Sequence, residues 1–499
     1  MKSNFFSSLF NNFIGVFLVV FLTPVYLNIL GIESYGLIGF YISLLGVLSL
    51  VDFGLSTTLK KELAVYRAKN LKAESVGLLK SFEILLLIFC LTVSILIYSI
   101  APLIQRYFLT IANLDPKSII SALRYMGFSI SASLLTSFYI AGLYGIQNIN
   151  VANILLILLN LMRSLGVVFV LLIFSSDIVV YFQWQLLINA LFLIICRQLL
   201  LKRINPLESN YFLKFDLNQI RKNFGFSLNV FVISIISVLL LQSDKFVVSR
   251  FLSLSELSYY TIATTISTIP LILANSISSV LFPEFSKSVA LKSESNLEIL
   301  YVRGVMIVRL LIMPISITLI LFSQEFIFAW TGSNLISLNT YRVAQLLLIS
   351  QFFQSYTLLP FNIALAHGNT SFSRKAGYVA VILFIPLLLL LTSKYGILGA
   401  SVSWLIFMFI ASPLNVYFLL KQKYMTKISL KATSNTFLQG LIFLLPLGLF
   451  FKYVIKFSNS RLFLSIELLS IWFIFSLILF FNSKEVKYFF ISKIRSAFN

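Results

Sequence analysis

Leu30-Gly31-Ile32-Glu33-Ser34-Tyr35-Gly36 closes the first long apolar run of this 499-residue chain, and Glu256-Leu257-Ser258-Tyr259 follows the seventh, with Tyr259 standing 224 residues after Tyr35. Other landmarks recur at nearly the same interval. Gly145 closes the fourth run and Gly368 the tenth, 223 residues apart; Trp184 and Trp404 sit in the sixth and twelfth, 220 apart, and both of those runs end in Leu-Leu-Lys, at Lys202 and Lys421. A duplicated set of apolar segments predicts two helical lobes about a central path, an architecture used by many transporters.

Composition fixes the class. Apolar residues make up 59% of the chain and charged residues 11%, against roughly 45–50% and about 25% in soluble domains. A bilayer core takes roughly 20 consecutive apolar residues per helix. Fourteen segments qualify: Leu9–Gly31, Leu37–Thr57, Phe82–Ile104, Ile119–Gly145, Ala152–Ser175, Ile178–Leu200, Phe224–Phe251, Leu257–Phe282, Val302–Phe322, Ala344–Ala366, Ala376–Thr392, Ile397–Leu420, Phe437–Val454 and Leu462–Phe481. The expectation is an all-α integral membrane protein of about 14 helices. It comprises two pseudo-repeated six-helix lobes, 1–205 and 206–425, and two further helices with a tail in 426–499.

Charge orients the helices. Lys60, Lys61, Arg67, Lys69, Lys72 and Lys80 cluster on one side of the alternating spans, as do Arg197, Lys202, Arg203, Lys214, Arg221 and Lys222, and then Lys421, Lys423, Lys427 and Lys431. The positive-inside rule makes that side, with both termini, cytoplasmic. The net charge of +21 is largely this bias toward anionic headgroups and calls for no nucleic-acid partner. The first run lacks a small-residue cleavage pattern and is expected to remain as a helix. Cys90 and Cys196 lie singly in apolar segments and form no disulfide framework.

Catalysis has little to work with. The longest connection runs only from about Lys202 to Asn223, and the single histidine, His367, stands without clustered Asp, Glu or Cys. Neither an enzyme, a metal site nor a cofactor is expected.

Buried polar chemistry carries the functional signal. Arg163, Lys245 and Arg309 fall inside apolar spans, where a charge costs about 2.5–3.5 kcal/mol on insertion scales and is retained where it faces a cavity or a partner. Each lies on a polar stripe: Asn153, Asn160 and Ser164 accompany Arg163; Ser227, Ser234 and Ser249 accompany Lys245; Ser316 and Ser323 accompany Arg309. Thr261, Thr265, Thr268, Asn275 and Ser279 mark an uncharged stripe in the eighth span. Such faces either line a wet path or hydrogen-bond neighbouring helices. Several stripes with buried cations favour a cationic cavity and a phosphate-bearing cargo. Asp52, Glu83 and Asp244 are the candidates for ion coupling or gating. Their structural alternatives are a helix-end anchor for Asp52, a Lys80 pair for Glu83 and a basic neighbour for Asp244. Pro24, Pro270, Pro314, Pro360, Pro386 and Pro413 each remove a backbone hydrogen bond inside a span and permit bending.

Together with the opening motif, Val51-Asp52-Phe53-Gly54-Leu55-Ser56, Lys60-Lys61-Glu62-Leu63-Ala64, Ser243-Asp244-Lys245-Phe246 and Ser258-Tyr259-Tyr260 resemble the polysaccharide-transporter family. That family includes O-antigen flippases, and its superfamily also holds multidrug extruders and lipid II flippases. The resemblance spans essentially the whole chain. It implies translocation of undecaprenyl-diphosphate-linked oligosaccharide from the cytoplasmic to the outer leaflet of a bacterial inner membrane, by alternating access. It also implies association with polysaccharide polymerase and chain-length machinery. Arg163, Lys245 and Arg309 would contact diphosphate or acidic sugar, and Asn160, Thr261, Thr265, Thr268 and Asn275 would line the cavity. Two rivals remain, an ion-coupled multidrug exporter and a membrane polysaccharide polymerase. The first span offers no Asp or Glu for proton coupling, and no sizeable outer loop offers catalytic groups.

Overall fold

A computed structural model describes residues 2–204, 217–367, 370–421, 427–455, 457–458 and 460–482. Lys214, Gly368 and Lys423 lie outside them, as does most of the expected cytoplasmic tail. The fold is helical, with one isolated bridge among the described residues, between Thr110 and Ser253. Packing divides the chain into Met1–Ser258 and Tyr259–Asn499.

In the first unit the helices are α1 (Lys2–Leu30), α2 (Ile32–Leu48), α3 (Leu55–Ala68), α4 (Lys72–Tyr107), α5 (Pro116–Gly145), α6 (Ile149–Ile173), α7 (Ile178–Ile204) and α8 (Leu217–Phe251), followed by the start of α9 (Leu254–Ser267). At its centre α5 packs on α7, α4 and α3, while α1 lies on α6 and α8 lies on α2. Most of α5 is buried, and it is the least apolar of the ten clearly membrane-length apolar helices. A helix largely surrounded by its neighbours can spend its surface on Ser129, Ser131 and Thr136, all buried.

The second span departs from its expected course. Helix α2 ends at Leu48, a 3-10 turn covers Ser49–Asp52, and Phe53 (φ 46°) and Gly54 (φ 73°) turn the chain into α3. From the sequence alone, Lys60, Lys61 and Arg67 mark only a basic connection between spans. In the structure, Leu55, Leu59, Leu63 and Tyr66 bury one face of α3, the spacing of an amphipathic helix whose apolar side packs on α5 and α4.

The second unit continues α9 and adds α10 (Ile269–Ala290), α11 (Glu294–Leu321), α12 (Ser323–Thr331), α13 (Asn334–Ala366), α14 (Thr370–Lys421), α15 (Lys427–Val454) and α16 (Arg461–Asn482). The eighth expected span lies within one apolar span, Leu254–Ala290, in which α9 and α10 meet at Thr268. The helix is interrupted there because Pro270, in the first turn of α10, has no N–H to continue the ladder. Helix α14 holds the eleventh and twelfth spans as two arms. They are reversed at Gly396 (φ 61°), so that the Phe384 and Trp404 rings meet at 4.7 Å. The last two helices join this unit's core: Leu444, Leu464 and Phe475 pack with Ile312, Met313 and Phe352. Lys452 Nζ donates to the Leu321 carbonyl at 2.7 Å and Arg461 Nη2 to the Trp330 carbonyl at 2.9 Å, closing the ends of α11 and α12.

Ten helices among the described residues are long and apolar enough to cross a membrane, and Phe17–Leu30 and Gly440–Val454 are shorter apolar helices. The more polar α13 and the second arm of α14 complete the fourteen.

The opening motif meets its own echo. A β-carbon on Gly36 would collide with the Leu254 carbonyl, and Ser258 Oγ donates to the Ile32 carbonyl. Glu33 receives the amides of Ala112, Asn113 and Leu114 at 2.6, 2.8 and 3.2 Å, while Glu256 caps its own helix through Ser253 N at 3.2 Å. We expect Gly36→Ala to destabilise the protein by about 1–3 kcal/mol through overpacking. Gly77→Ala, whose added carbon would find nothing within 4 Å, should leave the thermal unfolding of purified protein unchanged.

Candidate functional site

The buried polar groups of the first unit gather along α7. Tyr181, Gln185, Asn189 and Arg197 follow the ridge of every fourth residue, which winds slowly around a helix. It therefore presents them in turn to α6, α5 and α4.

At the first station, Arg163 Nε on α6 donates to Gln185 Oε1 at 3.1 Å, and Gln185 Nε2 returns a bond to the Arg163 carbonyl at 3.0 Å. Arg163 is half-buried and Gln185 buried. The guanidinium carries five N–H donors, and this is its one side-chain hydrogen bond among the described residues. Around it lies a tyrosine-rich interior. Tyr26 OH donates to the Ser164 carbonyl at 2.9 Å, the Tyr26 and Tyr181 rings meet edge-on at 5.8 Å, and Thr23 and Tyr35 share a 3.1 Å hydroxyl contact. Asn160 faces α1 beside Gly15, where an added β-carbon would come 3.9 Å from its amide nitrogen. At the second station Asn189 Nδ2 donates to Ser129 Oγ at 2.9 Å.

The third station is ionic. Glu83 Oε1 accepts from Arg197 Nε at 2.6 Å and from Tyr139 OH at 2.8 Å, while Oε2 pairs with Lys80 Nζ at 3.0 Å. Glu83 is only 3% exposed and Lys80 5%. One carboxylate thus ties α4, α5 and α7 together. Sequence spacing alone points to Lys80 as the partner and places Arg197 only among the cytoplasmic charges; the four-residue ridge that Arg197 shares with Gln185 and Asn189 is the signal for the second pair.

Asp52 sits at the corner before α3. Its Oδ1 accepts from Ser56 Oγ at 2.6 Å, and both carboxylate oxygens face the Ser56 amide at 3.2 Å, so the side chain caps the helix start. The corner is pinned to α8 by Phe53 against Phe231 (4.7 Å) and Thr58 against Ser227 (2.7 Å). On α8, Asp244 is buried and its Oδ1 accepts the Lys245 amide at 2.7 Å. Lys245 is half-buried, and its ammonium has no ion-pair partner among the described residues. Arg163 and Lys245 stand on different faces of this unit: α6 packs chiefly on α1 and α7, α8 on α2 and α4.

In the second unit Arg309 is 5% exposed on α11, within electrostatic reach of the buried Tyr356 of α13. The hydroxyl stripe turns to its own backbone. Thr265 Oγ1 donates to the Thr261 carbonyl at 2.9 Å and Thr268 Oγ1 to the Thr265 carbonyl at 2.8 Å. Thr261 is buried, Thr265 and Thr268 are half-buried, and Asn275, beyond the break, is exposed. His367 closes α13, its Nδ1 at 2.8 Å from the Ile363 carbonyl.

Replacing Glu83 by Gln leaves the buried Lys80 and the half-buried Arg197 without a counter-ion, a loss of about 3 kcal/mol, the lower end expected for a buried pair because Arg197 keeps contact with solvent. Asp52→Asn removes only cap strength, about 1 kcal/mol. Thermal unfolding of the two purified variants should rank them in that order, and the reverse order would mean that Glu83 is not a structural tie.

Residues 1–289 match the family described as Polysaccharide biosynthesis protein. A Shigella flexneri protein, provisionally named an O-antigen transporter, is 23% identical over 386 residues, covering 75% of this chain and 87% of that one. Among solved structures, the lipid II flippase MurJ in an inward closed conformation superimposes with a TM-score of 0.67 at 18% identity, covering 96% of this chain and 98% of that chain. An inward-facing multidrug transporter of the MATE family gives a TM-score of 0.61 at 13% identity over 84% and 96%. These two likenesses establish the fold.

Proposed function

The chain belongs to the polysaccharide biosynthesis protein family, and on that premise we propose that it is a flippase for lipid-linked oligosaccharide. Its cargo is an undecaprenyl-diphosphate-linked repeat unit of O-antigen or a related surface polysaccharide. The unit moves from the cytoplasmic to the periplasmic leaflet of a bacterial inner membrane, with both termini of the protein in the cytoplasm. The observation that carries this reading is the set of cations kept inside membrane spans, Arg163, Lys245 and Arg309, in a chain that superimposes along nearly its whole length on a lipid II flippase. A headgroup with a diphosphate needs positive partners across hydrocarbon, while its polyprenyl tail stays in lipid.

Of the three cations, the two that are only half-buried suit that role best. Arg163, with donors left over after the Gln185 bond, and Lys245 can offer charge to a ligand at little structural loss. Glu83, saturated by two cations and a tyrosine, is better suited to holding helices than to carrying a proton. The multidrug transporters share the fold, but α1 contains no Asp or Glu and the interior cations suit an anionic cargo.

Deleting the gene should leave lipid-linked repeat units on the cytoplasmic leaflet and abolish surface polysaccharide; unchanged leaflet distribution would refute the reading. Arg163→Ala and Lys245→Ala should each slow translocation about tenfold, the equivalent of one lost charge-assisted hydrogen bond, at matched protein abundance. Arg309→Ala should also lower the amount of folded protein, since its surroundings are closed.

A further inference from the structure

The ends of the first unit that bear the basic clusters form an open cavity of about 370 Å³. Its rim carries Arg67 at the end of α3, Lys72 at the start of α4 and Arg203 at the end of α7; its floor is Tyr66, Ile146 and Ile204. The rim cations are exposed, whereas the floor side chains are buried. No Asp or Glu lines it.

Two helices also begin here. Leu71 and Asn148, the residues that start α4 and α6, both line the cavity, and neither start receives a side-chain cap. Neither cap residue lends its own side chain to these helix starts, and the helix dipoles there favour an anion. With its amide oxygen turned toward Arg203, Asn148 accepts from Nε at 3.2 Å and holds that guanidinium in place. The two turns that bring these elements together pass through left-handed residues, Asn70 (φ 54°) and Gln147 (φ 56°).

We propose that this cavity binds the phosphoester headgroup of a lipid in the cytoplasmic leaflet. Inorganic phosphate would fill little of the volume, given that a water occupies about 30 Å³, and would leave the apolar floor uncovered. A headgroup phosphate at the rim with its glycerol or prenyl stem on Tyr66, Ile146 and Ile204 uses both surfaces. Basic pockets between membrane helices on the cytoplasmic side bind anionic lipid headgroups in this way. The same chemistry could come from the bilayer's own anionic phospholipid or from a polyprenyl diphosphate. The inference rests on the membrane orientation proposed above, but its test reads binding and not translocation.

The test is native mass spectrometry of the detergent-purified full chain, titrated separately with phosphatidylglycerol, undecaprenyl diphosphate, phosphatidylcholine and inorganic phosphate. Wild type is compared with Arg67→Gln/Arg203→Gln, with Arg67→Lys/Arg203→Lys, and with Lys69→Gln, an exposed neighbour outside the lining. Binding of an anionic lipid is expected to weaken about a hundredfold in the double Gln variant, about tenfold for each guanidinium. The Lys variant should retain part of it, and Lys69→Gln all of it. Preference for phosphatidylglycerol identifies a bilayer lipid, and preference for undecaprenyl diphosphate identifies a docking place for cargo. Equal binding to phosphatidylcholine, tight binding of inorganic phosphate alone, or unchanged affinity in a double Gln variant of normal melting temperature overturns the proposal.

Discussion

A carboxylate shut inside a helical bundle must bring its own solvation, and Glu83 does so with Lys80, Arg197 and Tyr139. That requirement governs the first unit. Water is absent from the bilayer core, so each polar group has to find a partner on another helix or on its own backbone. Once α7 supplies Arg197 to Glu83, its helical pitch places Asn189 on α5 and Gln185 on α6. The ionic tie therefore also sets where Arg163 is held. Interior cations divide accordingly: Arg197 and Lys80 are used up in the frame, whereas Arg163 is only lightly committed.

The same rule explains why the hydroxyl stripes are ambiguous. Thr265 and Thr268 donate to carbonyls one turn back, as do Ser43, Ser81, Ser316 and Thr318. A Ser or Thr in a membrane helix satisfies itself locally and needs no aqueous face to justify it. An amide or guanidinium cannot do this with all of its donors. Buried Gln, Asn and Arg are therefore better pointers to interhelical chemistry than any number of hydroxyls.

The length of a span is set by the thickness of the bilayer, which is why fourteen apolar segments could be read directly from the chain, and why Gly145 marked the right place. A β-carbon there would come 2.8 Å from the Lys60 carbonyl of α3. Helix α3 itself was not legible, because its Leu55-Leu59-Leu63 stripe is short and interleaved with Lys60 and Lys61. The break at Pro270 was visible as a proline but not as a helix end, since membrane helices often absorb one. Among the site residues, the positions of Arg163, Lys245 and Arg309 inside spans followed from composition. The link from Glu83 to Arg197 did not, because those residues are 114 apart and only packing brings α4 and α7 together.

The meeting of Gly36 with Leu254, and of Ser258 with the Ile32 carbonyl, has a consequence for how such a chain evolves. The two signature turns echo each other in sequence and are each other's packing surface. Neither can then drift on its own: a bulkier residue in one demands a retreat in the other, so substitutions in 30–36 and 253–259 should arise in pairs among relatives. A chimera that takes its first half from one relative and its second from another would inherit mismatched turns, unless the joint falls after the second copy.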